Sequence, residues 1–250
     1  MRGYQELIDE AAAADVSGWD FGWLEGRATE ERPPWAYAKM LAARLPGAGS
    51  ALDLDTGGGE IVAEMPALPA RMVVTEGWRP NAERARELLE PRGVEVVYVP
   101  QGRALPFAAG TFDLVTSRHP VDPAWGEIAR VLRDGGIYLG QHVGPASAYT
   151  LIEFFLGPLP RQELDRDPER EVMAAKAAGL ELVEVRTARC RMELFDVGAV
   201  VYLLRKCVWW VPDFSVDGYQ EQLRRMDAHI REHGSFVAQS TRTLIELRKR

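Results

Sequence analysis

Apolar runs alternate with amphipathic stretches along residues 51–142, which predicts a repeated strand–helix unit. Such a period predicts a parallel sheet joined by right-handed crossovers. The predicted strands are 51–55, 72–76, 94–99, 112–117 and 136–142. The helices between them are predicted to begin at Glu60 and to cover 81–89 and about 123–132.

The pattern changes after Gly144. Helices are predicted at 151–156, 168–178, 195–210 and 215–232, a sixth strand at 180–185 and a last one at 244–247. The helix at 195–210 is apolar nearly all round, so it needs a second apolar partner besides the sheet.

Two N-terminal helices, predicted at 4–14 and 35–45, flank an aromatic loop that carries Trp19, Phe21 and Trp23 among glycines. The loop either packs on the core as filler or forms a lid over a ligand. Aromatic side chains on a glycine-hinged loop are expensive to leave in water, which favours the lid.

The segment 51–60 predicts a buried strand that enters a glycine turn and then a helix, where a nucleotide-like cofactor binds. Asp53, Asp55 and Glu60 make this turn acidic, which disfavours a pyrophosphate. Val62 stands where a dinucleotide fold needs its third small residue. An acidic turn suits a ligand with an ammonium and a sulfonium group, which is S-adenosylmethionine.

Glu76 ends the second predicted strand, near the offset at which an acid binds ribose hydroxyls in such folds. The alternative is a solvated side chain at the start of a loop. Because Glu76 follows a glycine turn at this spacing, binding of the ribose is the favoured interpretation.

Five ordered blocks resemble a class I S-adenosylmethionine-dependent methyltransferase: "ALDLDTGGGE", "VVTEGW", "VPQGRALPF", "FDLVTSRH" and "GEIARVLRDGGIYLGQHVG". The resemblance implies an α/β fold with a doubly wound, mostly parallel seven-stranded sheet of the Rossmann-like type. It also implies an N-terminal helical lid, a helical insertion before the last strand and an antiparallel last strand. The chain departs from the family at Asp55, where a glycine is usual, and at Gln101, where an Asp usually contacts the adenine amino group. The Gln carbonyl can still accept from that amine.

The resemblance implies one methyltransferase domain over 1–250, with N-terminal helices and lid at 1–45, a cofactor core at 46–145 and acceptor-side elements at 146–250. The expected cofactor-binding residues are Asp53, Asp55, Thr56, Gly57, Gly59, Glu76, Gly77, Gln101, Gly102, Arg103, Ser117 and Arg118. The expected pocket for the methyl acceptor contains Trp19, Trp23, Tyr202 and Trp209.

Methyl transfer is an in-line displacement, so the protein aligns the nucleophile and removes its proton where it has one. His119 and His142 follow predicted strands at the edge where open α/β sheets bind ligands, and either is a candidate base. A structural histidine at a loop start is the alternative for each. Arg118 and Arg161 are candidates to hold an acidic acceptor.

The amino-acid composition limits which binding partners are expected. The net charge of −7 and the pI near 5.3 argue against nucleic acid and favour a small-molecule acceptor. No apolar run suits a membrane span, and the N-terminus lacks a signal-peptide pattern, so we expect a cytoplasmic monomer or homodimer. Two cysteines, expected as free thiols, are too few for a zinc cluster, so we expect no metal.

Two alternatives stay open. One is an RNA base methyltransferase similar to the ribosomal guanine methyltransferases, which the acidic balance disfavours. The other is a non-catalytic partner protein that keeps the cofactor pocket, and the departures at Asp55 and Gln101 leave that alternative open.

Overall fold

A computed structural model describes residues 2–159 and 166–250. The strands are β1 (Ala28–Glu30), β2 (Ser50–Leu54), β3 (Arg71–Glu76), β4 (Glu95–Tyr98), β5 (Phe112–Arg118), β6 (Leu132–Val143), β7 (Leu180–Leu194) and β8 (Phe236–Lys249). The helices are α1 (Tyr4–Ala13), α2 (Tyr37–Arg44), α3 (Glu60–Ala63), α4 (Arg79–Leu89), α5 (Trp125–Val131), α6 (Tyr149–Leu156), α7 (Pro168–Ala177), α8 (Val197–Lys206) and α9 (Gln220–His233).

The strands form one sheet in the order β1-β7-β8-β6-β5-β2-β3-β4. Neighbouring strands from β6 through β5, β2 and β3 to β4 are parallel. β8 pairs antiparallel with β6, and β1 pairs antiparallel with β7. The antiparallel last strand is therefore confirmed, but the expected seven strands are wrong: the described residues form a mixed sheet of eight.

Alternating strand residues bury the two faces of the sheet in separate cores. Ala51, Val74 and Leu114 pack with residues of α2, α3 and α4. The intervening Leu52 and Val115 pack with residues of α5 and α7. Helices therefore cover both faces of the parallel strands, and the doubly wound prediction is confirmed.

The described residues divide into two compact units. One unit contains 33–145, 166–188 and 242–250, and the other contains 2–32, 146–159 and 189–241. The second unit has its own core, in which α8 is buried among residues of α1, α6 and α9. The all-round apolar pattern of α8 thus reflects helices packed around it.

Several boundaries differ from the predicted ones. β7 continues to Leu194, nine residues beyond the predicted end, and its last part alternates exposed arginines with the buried side chains of Cys190, Met192 and Leu194. β8 begins at Phe236, β6 at Leu132 and α9 at Gln220. α5 begins at Trp125, since Ala124 still has non-helical backbone angles. Within 2–159 and 166–250, no helix is long and apolar enough to cross a membrane.

Candidate active site

The glycine turn after β2 requires left-handed backbone at three positions. Asp55 has φ of 53°, Gly57 of 66° and Gly59 of 84°. A Cβ at Gly59 would lie 2.7 Å from Leu89 Cδ1, so α4 packs directly on this turn. Aspartate tolerates left-handed angles better than most residues, which explains how Asp55 takes the place of a glycine.

Glu76, at the carboxyl end of β3, is tied to this turn. Its Oε2 accepts a hydrogen bond from the Gly57 N–H and its Oε1 accepts one from the Trp78 N–H, both at 2.8 Å. The side chain is buried, and burial raises the pKa of the carboxyl group. Each carboxylate oxygen keeps lone pairs beyond these bonds. Glu76 therefore braces the turn and still has acceptor capacity for a ligand hydroxyl.

The loops after β3 and β4 approach each other at Gly77. A Cβ at Gly77 would lie 3.1 Å from the Val99 carbonyl oxygen and 3.4 Å from the Gln101 backbone nitrogen. Gln101, Gly102 and Arg103 are exposed and form a turn closed by the Arg103 N–H on the Pro100 oxygen. Glycine at 77 therefore allows Gln101 to lie beside the end of β3.

Asp53 faces the neighbouring strand. Thr116 Oγ1 donates to its Oδ1 at 2.5 Å, and the side chain is 2% exposed. Burial raises the pKa of Asp53 from 3.8 to about 6. The geometry gives Asp53 a bracing role between β2 and β5, and Thr116 is a partner that the sequence did not reveal.

Two buried hydroxyl groups near the glycine turn indicate whether the site can hold a cofactor. Thr56 Oγ1 and Ser117 Oγ make no hydrogen bond of good geometry within the described part of the chain, although each lies close to another polar side chain, Asp53 and Tyr138 respectively. Buried polar atoms are normally satisfied by protein, water or ligand. Thr56 lies in the glycine turn and Ser117 at the carboxyl end of β5, the edge where open α/β sheets bind ligands. These hydroxyls and the nearby carboxylates fit a polar, cationic cofactor.

Helix α3, directly behind the turn, has only four residues and is held by a distant side chain. The Arg92 guanidinium donates to the carbonyl oxygens of Val62 at 2.9 Å, Ala63 at 2.5 Å and Met65 at 2.6 Å. The Ala63 oxygen is a carbonyl that a short helix leaves without a partner at its C-terminal end, whereas the Val62 oxygen also accepts from the Met65 N–H.

The side chain of His142 is buried and contacts other side chains through both ring nitrogens. Its Nδ1 contacts Glu171 Oε2 at 2.5 Å, its Nε2 contacts the Tyr138 hydroxyl at 2.7 Å, and its side chain is 1% exposed. Trp125 stacks on the ring. Both ring nitrogens are engaged, so this geometry supports the structural role for His142 rather than the base role.

His119 follows β5 in a left-handed conformation with φ of 59°. Its backbone N–H donates to the Gln141 oxygen at 2.7 Å, and its Nε2 lies 3.4 Å from Gln141 Nε2. Gln141 Oε1 accepts from Trp35 Nε1 at 2.8 Å. Burial, above all, lowers the pKa of His119 well below its usual value. Gln141 and Trp35 were not predicted from the sequence, although a Gln in an apolar strand such as β6 is a signal.

Of the two arginines expected to hold an acidic acceptor, the structure describes only one. Arg118 is exposed at the end of β5. Arg161 lies outside the described residues.

The aromatic residues expected at the acceptor pocket form two contacting pairs. Trp23 stacks on Tyr202 with ring centroids 4.7 Å apart, and Trp19 lies 5.9 Å from Trp209. The Tyr202 hydroxyl donates to the Asp20 oxygen, and Tyr202 is only 2% exposed. The loop therefore packs on α8 and covers Tyr202. Its role as a lid stays a prediction.

The two cysteines are free and buried, as expected. Burial raises the pKa of Cys207 to about 12, which keeps this thiol protonated. In the described ranges, no group of three His, Cys, Asp or Glu residues has the arrangement to hold a metal ion.

The segment that contains the glycine turn and β3 is similar to known proteins. Residues 52–140 match a family model described as a methyltransferase domain. This segment is a class I S-adenosylmethionine-dependent methyltransferase domain. The ubiquinone/menaquinone biosynthesis C-methyltransferase UbiE of Desulfotalea psychrophila is 37% identical over 132 residues, 48% of this chain. The chain thus spans about half, 53%, of that relative's length.

Solved structures share the fold at low identity. The YcgJ protein of Bacillus subtilis is 14% identical, with a TM-score of 0.58 over 86% of this chain and 98% of the other. A methyltransferase of Thiobacillus denitrificans in complex with S-adenosylhomocysteine is 16% identical, with a TM-score of 0.50 over 87% and 92%. The [4+2]-cyclase SpnF is 17% identical, with a TM-score of 0.55 over 98% and 92%. The fold therefore also serves a reaction other than methyl transfer.

Proposed function

We propose that this protein transfers a methyl group from S-adenosylmethionine to a small-molecule acceptor. The observation that carries the proposal is the acidic glycine turn bound to Glu76 at the carboxyl end of β3, inside the segment that matches the methyltransferase family.

The residues at this edge match the parts of the cofactor. Glu76 is the acceptor for the ribose hydroxyls, and Gln101, held near Gly77, is the partner for the adenine amino group. Asp55 adds negative charge for the ammonium group, and the backbone of 55–59 leaves room for close approach. The bound cofactor supplies the activated methyl group. The protein's part is to orient the two reactants, which by itself lowers the barrier substantially.

The acceptor is a small molecule rather than a nucleic acid. Binding a polyanion needs many basic contacts, whereas this chain carries a net charge of −7. The relative UbiE is named as a C-methyltransferase of ubiquinone and menaquinone biosynthesis, which supports a small organic acceptor here. We include a ring carbon beside a hydroxyl group among the candidate nucleophiles, together with hydroxyl oxygen and amine nitrogen.

Calorimetry with S-adenosylmethionine, followed by a turnover assay, tests the proposal. The purified chain is incubated with cofactor carrying a deuterated methyl group and with 1,4-dihydroxynaphthalene, catechol or glycine. Mass spectrometry then identifies any labelled product. We expect cofactor binding and a labelled product from one acceptor.

The control is Gly57→Val, which we expect to prevent binding because φ of 66° and ligand approach both disfavour a branched side chain. No binding by the wild type would contradict the proposal. Binding without any product would favour the non-catalytic alternative, and salt-sensitive RNA binding would favour the RNA methyltransferase.

A further inference from the structure

We propose that His119 acts in methyl transfer as a neutral hydrogen-bond donor through Nδ1, with Gln141 and Trp35 as positioning residues that fix this tautomer. The inference rests on the proposed function, and it replaces the base role expected from the sequence.

The chain of hydrogen bonds begins at Trp35. The indole Nε1 is a donor only, so the Gln141 atom 2.8 Å away must be the amide oxygen. The amide nitrogen of Gln141 therefore faces His119. Trp35 and Gln141 are 6% and 5% exposed, which leaves water little access to compete for these groups.

The Gln141 amide in turn sets the histidine tautomer. Its Nε2 is a donor only and lies 3.4 Å from His119 Nε2, so this ring nitrogen must be the acceptor. A neutral imidazole carries one proton, which then sits on Nδ1. The backbone bond from the His119 N–H to the Gln141 oxygen, at 2.7 Å, holds the base of the same side chain.

The surroundings also disfavour a charged ring. Besides burial, the ionisable neighbours that lower the pKa of His119 are Arg242 in β8, Arg118 in β5, His142 in β6 and Arg166 before α7. A positive charge on the ring beside these three arginines is unfavourable. The lone pair of Nε2 is already engaged by Gln141, so His119 is a poor proton acceptor.

This arrangement has a consequence for the acceptor. No hydrogen bond of the described residues uses His119 Nδ1. A molecule that reaches Nδ1–H must offer an acceptor atom, such as a carbonyl, phenolate or carboxylate oxygen. With Arg118 as the preceding residue, we infer an acceptor that carries such an oxygen next to its nucleophilic atom. An oxygen or nitrogen nucleophile then arrives without its proton, and a carbon nucleophile loses its proton to water after the transfer.

Nitrogen NMR of the full chain, labelled with 15N-histidine, tests the tautomer without any acceptor. The His119 ring signals are assigned by their loss in His119→Asn. We expect a protonated Nδ1 and an unprotonated Nε2 at pH 7, with no change down to pH 6. A proton on Nε2, or a charged ring at pH 7, would overturn the inference.

The same spectra test the positioning residues. Gln141→Glu keeps the acceptor for Trp35 but offers only acceptor atoms to His119, so the proton should move to Nε2. Trp35→Phe frees the amide to turn over and should give a mixture of both tautomers. A ring that stays protonated at Nδ1 in both folded variants would show that Gln141 does not fix it.

Turnover of two matched variants tests the donor role. Asn and Asp both tolerate the left-handed backbone at 119, and the Asn amide nitrogen lies near the place of Nδ1. With the acceptor that the wild type methylates fastest, we expect kcat of His119→Asn to fall within about tenfold and that of His119→Asp on the order of 100-fold.

The reverse order would restore the base role, because a carboxylate accepts a proton and an amide does not. Failure of every acceptor with the wild type would count against the proposed function. The NMR result would still decide the tautomer.

Discussion

The Glu76 carboxylate accepts a hydrogen bond from the Gly57 N–H at 2.8 Å, across 19 positions of the chain. This bond joins Glu76, the candidate binding residue for the cofactor's ribose, to the glycine turn. Since the second carboxylate oxygen holds the Trp78 N–H, one side chain both shapes the turn and offers lone pairs to a ligand. Any substitution at Glu76 therefore affects stability and binding together.

We expect Glu76→Ala to weaken S-adenosylmethionine binding by about 1.5–3 kcal/mol, the range for hydrogen bonds that involve a charged group. The loss arises from the missing ribose acceptor and from two backbone N–H groups without partners. Isothermal titration calorimetry measures the change. An affinity equal to that of the wild type would remove Glu76 from the cofactor site.

Asp113→Ala is the matched control for this loss. Asp113 also braces backbone, since its Oδ2 accepts from the Ser50 N–H at 2.7 Å, but it lies at the amino end of β5. We expect lower stability with cofactor affinity within about twofold of the wild type, because distant sites act independently. Equal weakening in both variants would assign the Glu76 effect to general destabilisation.

Asp53 should give stability a specific pH dependence. Its pKa is raised from 3.8 to about 6, so the folded state disfavours the ionised form, and the wild type loses stability as pH rises through this window. Asp53→Asn keeps an acceptor for Thr116 and removes the charge. We expect its advantage over the wild type to grow between pH 4 and 7 to about 3 kcal/mol. Urea unfolding at each pH measures it, and a constant difference would contradict the prediction.

Gly140 should tolerate no side chain. A Cβ there would lie 2.5 Å from the Tyr138 hydroxyl oxygen and 2.6 Å from His142 Nε2, so it would break their buried hydrogen bond. We expect Gly140→Ala to destabilise the fold by about 2–4 kcal/mol in chemical unfolding. In contrast, Gly126→Ala in α5 meets nothing within 4 Å and should stabilise it by about 0.4–1 kcal/mol. Similar effects of the two variants would refute the packing argument.

The aromatic loop at residues 18–27 can be tested by hydrogen exchange. The N–H groups of Leu24, Glu25 and Arg27 are hydrogen-bonded within the loop, so we expect measurable protection without ligand. A lid should gain further protection when S-adenosylmethionine binds. Equal protection with and without cofactor would instead assign the loop to filler packed on α8.

Regular apolar periods made much of the fold predictable. β2, β3 and β5 were placed within one residue at each end because continuous apolar runs mark strands buried on both faces. β1 has three residues, of which Thr29 and Glu30 are exposed, so no periodic signal distinguishes it from a loop. The second half of β7 was missed for a similar reason, since Arg186, Arg189 and Arg191 hide the alternation.

The parts of the site that depend on residues close in sequence could be predicted. The glycine turn and Glu76 are fixed by short-range spacing, and both lie at one edge of the sheet. The contacts of His142 were not predictable, because Glu171 stands 29 positions away and only tertiary packing brings it close. The same holds for Trp35 and Gln141, which are separated by 106 positions.

The guanidinium of Arg92 makes the stability of the cofactor turn, through α3, depend on a residue 30 positions beyond Val62. A four-residue helix has too few internal bonds to persist alone, and this one side chain holds the carbonyl groups of its last two residues and that of Met65 just after it. The turn, α3 and the connection from α4 to β4 should therefore open as a single cooperative unit. An inherited change at Arg92 would then impair cofactor capture by local melting, with every residue that contacts the cofactor left intact.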